Sequence, residues 1–503
     1  MLDTIDYLVQ SNNLSKLFGE QPMEQVQPML LEFWRRYSLE WPDYGVFRAA
    51  AENKLSLSRT IPVYIHGDEG RGFKRSGVMI LSLQGAIGRG SKPFLKRHPI
   101  RSLRQLKMGI NLQGSSFNSR MLFVAMPKKH YKAKPDSGTM ILFIFYPLRL
   151  PLVVLSCDIN FNPTQPPILT QENFQAVLNK MINDLLKLQD IGFTYAGERW
   201  NIACLGVKGD LPFLRTVGDL TRHWQRAHRS EENKSPPGVC WMCLAGTKPG
   251  GPFEDFNIDA QWSVVATVDP WVTRPSVLQL FHCIDRPHDY LKTDVWHNYH
   301  GGAGKTFIAS VLAECLLLLP GSREDKISQL DVLLRQWAKR PGCNLPHSGP
   351  FVAERIGLTS FQVLPEGGWS KFADTHIYHR FVEWFLTGRI NQFNEDEYFL
   401  MILEAVKAAN DTFSIRYSSG LWLTSNEALA AGNNGRKWLR IYANLAYRCF
   451  TERKSRFPIY VKFHMLDHHW RRLVSGAQNK WTLNILAESV QADEESSLNL
   501  FEF

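Results

Sequence analysis

The 503-residue chain reads as an α/β protein, a mixed sheet core of order β-β-β-α-β interrupted by a large, mainly helical insertion. Three observations predict this. Four short runs of strand-forming residues, each bounded by Gly, Pro or polar positions, fall between residues 60 and 210. A single strong helical repeat separates the third run from the fourth. Beyond Asp210 the strand signal fades and segments with helical spacing recur.

Residues 1–54 form an N-terminal helical region, with an apolar set at Met29, Leu30, Leu31, Phe33 and Trp34. The core follows over 55–212. Its strands are IPVYI (61–65), GVMILSL (77–83) and RMLFVAM (120–126), rich in β-branched and aromatic residues. Over 172–189, Phe174, Val177, Leu178, Met181, Ile182, Leu185 and Leu186 recur at three- and four-residue intervals, so one face of a helix is apolar. The fourth strand, WNIACLGVK (200–208), runs into Gly209-Asp210. Residues 213–480 make up the insertion, with helices expected over 305–319, 325–339, 376–388, 395–411 and 435–452, and residues 481–503 return to the core.

The composition is that of a packed globular chain, 44% hydrophobic and 21% charged, which excludes disordered, collagen-like and coiled-coil classes. The net charge of +10 is unevenly placed: Arg71 to Pro135 contains fifteen Lys or Arg and no Asp or Glu. A window of that bias suits a polyanion such as DNA, though it also fits a solvated basic surface. Eight cysteines, of which only Cys240 and Cys243 are close in sequence, do not make a disulfide framework, so a reducing compartment, cytosol or nucleus, is expected. The N-terminus lacks the basic start and apolar stretch of a signal peptide. Pro147, Arg149 and Pro151 break the most apolar segment, 138–157, so buried strands or an atypical insertion are expected there and no membrane span.

Several motifs carry candidate chemistry. Asp68 ends the first strand, in PVYIHGDEGRG, and Asp210 ends the fourth, in LGVKGDLPFL. Each is also ordinary turn chemistry, but equivalent placement in one sheet would let both carboxylates converge on Mg²⁺, which prefers one or two carboxylates plus phosphate oxygens. Cys240 and Cys243, in CWMCLAG, have zinc-ligand spacing and need two more ligands; His297 and His300, three residues apart in DVWHNYH, are the candidates. HGGAGKT imitates a phosphate-binding loop ending in Lys305, but position 299 is Tyr where the motif requires Gly. The C-terminal stretch offers KFHMLDHHW (462–470), with His464, His468 and His469, and an acidic tail.

The ordered set resembles DDE/D transposase-derived proteins with an RNase H-like core, in the broad group containing Plavaka, CACTA and Kolobok elements. The resemblance rests on Asp68 after the first strand, Lys208-Gly209-Asp210-Leu211-Pro212 after the fourth, the Cys240/Cys243 pair, Asp294 and His297 with His300 and Gly302, and VKFHMLDHH before a terminal acid. It covers roughly residues 55–497 and implies an RNase H-like sheet in which Asp68, Asp210 and Glu494 hold two Mg²⁺ ions for phosphodiester hydrolysis and strand transfer on DNA. Glu488, Asp493 and Glu495 are alternatives for the last acid. The resemblance also implies a nuclear location and a structural Zn²⁺ at Cys240, Cys243, His297 and His300; a homo-oligomer stays open. The competing classes are a non-catalytic nucleic-acid-binding or scaffolding protein that keeps the fold, and a P-loop nucleotidase.

Overall fold

The computed structural model describes residues 1–71, 77–97, 108–111, 120–127, 140–144, 153–157, 171–226, 238–358 and 363–488. A mixed sheet and many helices build the α/β fold, as expected. The strands along the main path of the sheet are β1 (Thr60–Arg71), β2 (Gly77–Gly85), β3 (Arg120–Pro127), β4 (Met140–Ile144), β5 (Val153–Cys157), β6 (Glu198–Gly209) and β7 (Leu291–Thr293). Their order across the sheet is β7-β6-β1-β2-β3-β4-β5. β1, β2 and β3 pair antiparallel in sequence, whereas β6 lies parallel to β1 and β7 parallel to β6. The apolar segment at 138–157 supplies β4 and β5.

Parallel pairing of β1 with β6 needs a crossover, and helix α2 (Gln171–Asp190) provides it. Its face of Val177, Leu178, Met181, Ile182 and Leu185 is buried, as the spacing predicts. Helix α1 (Met23–Glu40) is fixed to the sheet by Trp34, whose Nε1 donates to the Thr60 carbonyl at 2.9 Å. Helix α3 (Leu211–Gly218) starts directly at the end of β6, with Asp210 as its cap.

The insertion contains α4 (Gly304–Cys315), preceded by a π-helical turn over Trp296–Ala303, then α5 (Arg323–Ala338), α6 (Ala373–Thr387), α7 (Glu397–Ser418), α8 (Ser425–Thr451) and α9 (Val461–Gly476). Their starts are written in the sequence. Ser322 with Asp325, and Thr424 with Glu427, form capping boxes, and Asp396 accepts from the Tyr398 and Phe399 amides. Tyr299, Phe307, Phe413, Trp438, Tyr442 and Phe463 meet in one buried aromatic cluster that joins these helices. Trp296–Leu318 is long and apolar enough to cross a membrane, but 78% of its apolar window is buried inside the protein. Burial against other helices accounts for that composition.

Candidate functional site

In the parallel half of the sheet, Gly67 of β1 lies beside Gly209 of β6, which lies beside Thr293 of β7. The next residue in each is an aspartate, although Asp68 does not end its strand as expected, because pairing with β2 carries β1 on to Arg71. Asp68, Asp210 and Asp294 therefore stand at the same height on three adjacent strands, whose neighbours in a sheet are about 4.8 Å apart. Both glycines are required here: a Cβ on Gly67 would meet the Phe213 ring at 2.0 Å, and one on Gly209 would meet it at 2.4 Å. The first turn of α3 is thereby laid across the strand ends.

Each described carboxylate also starts a helix. Asp210 accepts from the Phe213 amide at 2.8 Å. Asp294, 1% exposed, accepts from the Trp296 amide at 2.8 Å and the His297 amide at 3.1 Å, and its second oxygen holds the His297 ring nitrogen Nδ1. Helix N-termini favour this negative charge. Carboxylate oxygens are the hard donors that suit Mg²⁺. Asp294 entered the sequence reading only through its Asp-x-x-His string; its place beside Asp210 depends on the three-residue β7, which has no periodic signal.

Glu494, Asp493 and Glu495 lie outside the described residues. Glu488 lies within them, 1% exposed, 3.2 Å from Lys292 and held in an Arg472 fork at 2.5 and 3.2 Å. Burial raises its pKa, but Arg472 and Lys292 outweigh that and hold it at about 2. Arg472 also binds Glu40 at 2.5 Å, tying α1, α9 and the C-terminal return into one buried ionic network. Glu488 thus serves as a lock on the return segment.

A second constellation lies across α9. Cys240, Cys243, His464 and His468 each offer a ligand atom, all within 4.8 Å of one another. The Cys243 sulfur is 3.2 Å from His464 Nε2 and 3.3 Å from His468 Nε2, the Cys240 sulfur is 3.5 Å from His468 Nε2, and the two ring nitrogens are 3.1 Å apart. A tetrahedral zinc site with its usual bond lengths requires about 3.6 Å between S and N and about 3.3 Å between N and N. The spacing fits a metal to within a few tenths of an ångström. Backbone amides of Met242 and Ala245 donate to the two sulfurs, at 3.3 and 3.4 Å, and the Trp262 ring covers both histidines at 4.4 and 4.9 Å. Burial disfavours the Cys240 thiolate, but the Cys243 hydrogen bond and the two imidazoles overcome this and hold its pKa well below the usual thiol range.

His297 and His300 are not the partners of the cysteine pair. His297 is committed to Asp294, and buried His300 meets the Tyr417 hydroxyl at 3.3 Å. The reason is helical geometry: His464 and His468 are four apart on α9 and share one face, which the cysteine turn meets. The phosphate-loop reading also fails on geometry. Gly304-Lys305-Thr306 is continuous helix, Lys305 Nζ donates to the Trp369 carbonyl at 2.9 Å, and the Thr306 hydroxyl bonds Tyr460.

Of the fifteen basic residues in the window 71–135, only Arg89, Lys96 and Arg97 have described side chains. Arg89 pairs with Glu20, and Arg97 lies 3.9 Å from Glu427. No protein-family model and no curated protein matches the chain.

Proposed function

We propose that the chain is a transposase-like, DNA-binding protein of RNase H-like fold whose chemistry is two-metal phosphodiester hydrolysis and strand transfer. The observation that carries this reading is the in-register triplet Asp68, Asp210 and Asp294, each directly after the last parallel-paired residue of three adjacent strands. The sheet supports it: β3, β2 and β1 antiparallel, followed beyond β1 by two parallel strands, is the order expected for an RNase H-like core, to which β4 and β5 add two further antiparallel strands at the β3 edge. Asp68 and Asp210 hold Mg²⁺, Asp294 is the third carboxylate of the described site, and Glu494 is the acid the resemblance adds. Mg²⁺ bound there supplies activation of the attacking hydroxyl and stabilisation of the departing oxygen. The starts of α3 and of the π-helical turn hold the charge of Asp210 and Asp294, and residues 71–135 bind the DNA backbone. Zn²⁺ at Cys240, Cys243, His464 and His468 is structural, joining the start of the insertion to its last helix. The nucleus is the matching location.

The test is nicking of supercoiled DNA in Mg²⁺ by the full chain. Asp68→Asn and Asp210→Asn each abolish nicking while DNA binding persists. A second reading, a DNA-binding scaffold without catalysis, draws on the engagement of both Asp294 oxygens by Trp296 and His297. Wild-type protein that binds DNA but never nicks it, with either Mg²⁺ or Mn²⁺, would establish that alternative.

A further inference from the structure

We propose that Lys462 is the substrate-contacting cation of the strand-end site, its ammonium donating to a non-bridging phosphate oxygen of the DNA. This rests on the reading of that site as a phosphodiester-cleaving centre. Lys462 lies in the first turn of α9, and its Nζ donates at 3.0 Å to the carbonyl of His297, the residue whose ring holds Asp294. Its path is built. The π-helical turn breaks at Gly302, and a Cβ there would lie 2.5 Å from Lys462 Cδ and 3.2 Å from Nζ. A side chain at that position would displace Lys462 from the His297 carbonyl. Burial lowers the Lys462 pKa below the usual lysine range and Lys305 adds to this, while Asp210 and Asp294 oppose it by favouring the ammonium.

Charge balance gives the lysine its role. With Glu494 included, four carboxylates, two divalent ions and one phosphodiester sum to one negative charge. Attack by a deprotonated hydroxyl adds one negative charge to the phosphoryl oxygens, and a fixed cation is the group that stabilises it. Lys462 neither takes nor gives a proton in this step; the hydroxyl proton leaves to solvent and the pair of electrons of the broken P–O bond leaves with the departing oxygen.

The experiment compares wild type, Lys462→Gln, Lys462→Arg and Gly302→Ala, all as the full chain. Mn²⁺ affinity is measured by electron paramagnetic resonance without DNA, and single-turnover cleavage is measured on duplex DNA at saturation. Loss of the nearby positive charge makes Lys462→Gln bind Mn²⁺ roughly 3- to 10-fold more tightly. Its cleavage rate falls roughly 100-fold while DNA affinity changes less than about 3-fold. Lys462→Arg restores the rate to within about 10-fold of wild type, and Gly302→Ala follows Lys462→Gln. Unchanged Mn²⁺ affinity in Lys462→Gln, cleavage within about 3-fold of wild type, or an arginine variant as slow as glutamine overturns the proposal. Wild-type protein that binds Mn²⁺ but cleaves nothing overturns the cleavage reading instead. The lysine contact is then decided by Mn²⁺-dependent binding of a short oligonucleotide, which Lys462→Gln weakens about 10-fold if the contact exists and leaves unchanged if it does not.

Discussion

Replacing Cys240 by Ser removes one of four ligands at nearly constant volume, and its cost can be worked from the chain. A metal at this site cross-links Cys243 to His464 across 221 residues. Closing a loop of that length in the unfolded chain corresponds to about 5 kcal/mol of configurational entropy. For a cooperative unit the size of this 503-residue protein, the unfolding entropy is roughly 1 kcal/mol/K, so the melting temperature should fall by about 5 °C. The assay has three parts: metal content by mass spectrometry, visible absorption of the Co²⁺-substituted protein, and calorimetry with and without a chelator. Wild type should carry one tightly held metal per chain and show the intense absorption of a tetrahedral thiolate site. Cys240→Ser and His464→Asn should lose both. His300→Asn should retain the metal, as should Cys343→Ser, whose half-exposed thiol lies outside the cluster. Absence of bound metal from wild type, or a melting temperature indifferent to chelator, would refute the reasoning, and loss of metal in His300→Asn would refute the ligand set.

Three further outcomes follow from charge. Arg472→Met strands the Glu40 and Glu488 carboxylates in the interior, and denaturant unfolding should register a loss of about 3–5 kcal/mol. Because Glu488 is held at about 2, below its ordinary 4.5, its contribution is present above pH 4.5 and is lost as pH falls toward 2. That shift is worth about 3 kcal/mol, so acid unfolding of Glu488→Gln should be flatter between those limits, and an equally steep curve would contradict the pairing. DNA affinity should fall steeply between low and physiological salt. Removing Lys128, Lys129, Lys132 and Lys134 should reduce the log–log slope by up to ~3.6, whereas an unchanged slope would place the DNA elsewhere.

Periodicity made much of the fold legible. The helix expected over 172–189 spans Gln171–Asp190, and the strand expected over 200–208 spans Glu198–Gly209. Both carry a long, regular apolar pattern that tertiary packing reinforces. β7 was not legible, because Leu291-Lys292-Thr293 is a strand only through its pairing with β6. With it went the position of Asp294 beside Asp210. The cysteine pair was legible from spacing alone, since both ligands share one turn. Its histidines were not, because the partners come from a helix more than 220 residues away, and the nearer His297 and His300 have a plausible spacing that the fold uses to hold Asp294 and Tyr417. His464 and His468 had a usable signal, two histidines one helical turn apart on a segment with a buried face. Lys462 carries no sequence signal beyond its neighbourhood; the Gly302 slot that admits it exists only in three dimensions.

The most direct measurement is the position of Mn²⁺ in crystals of the full chain, located by its anomalous scattering. The strand-end triplet predicts Mn²⁺ bonded to carboxylate oxygens of both Asp68 and Asp210, at about 2.2 Å, and its loss in Asp210→Asn. Mn²⁺ absent from the strand ends, with the Asp68 and Asp210 carboxylates too far apart to share ions about 4 Å from one another, would contradict a two-metal site.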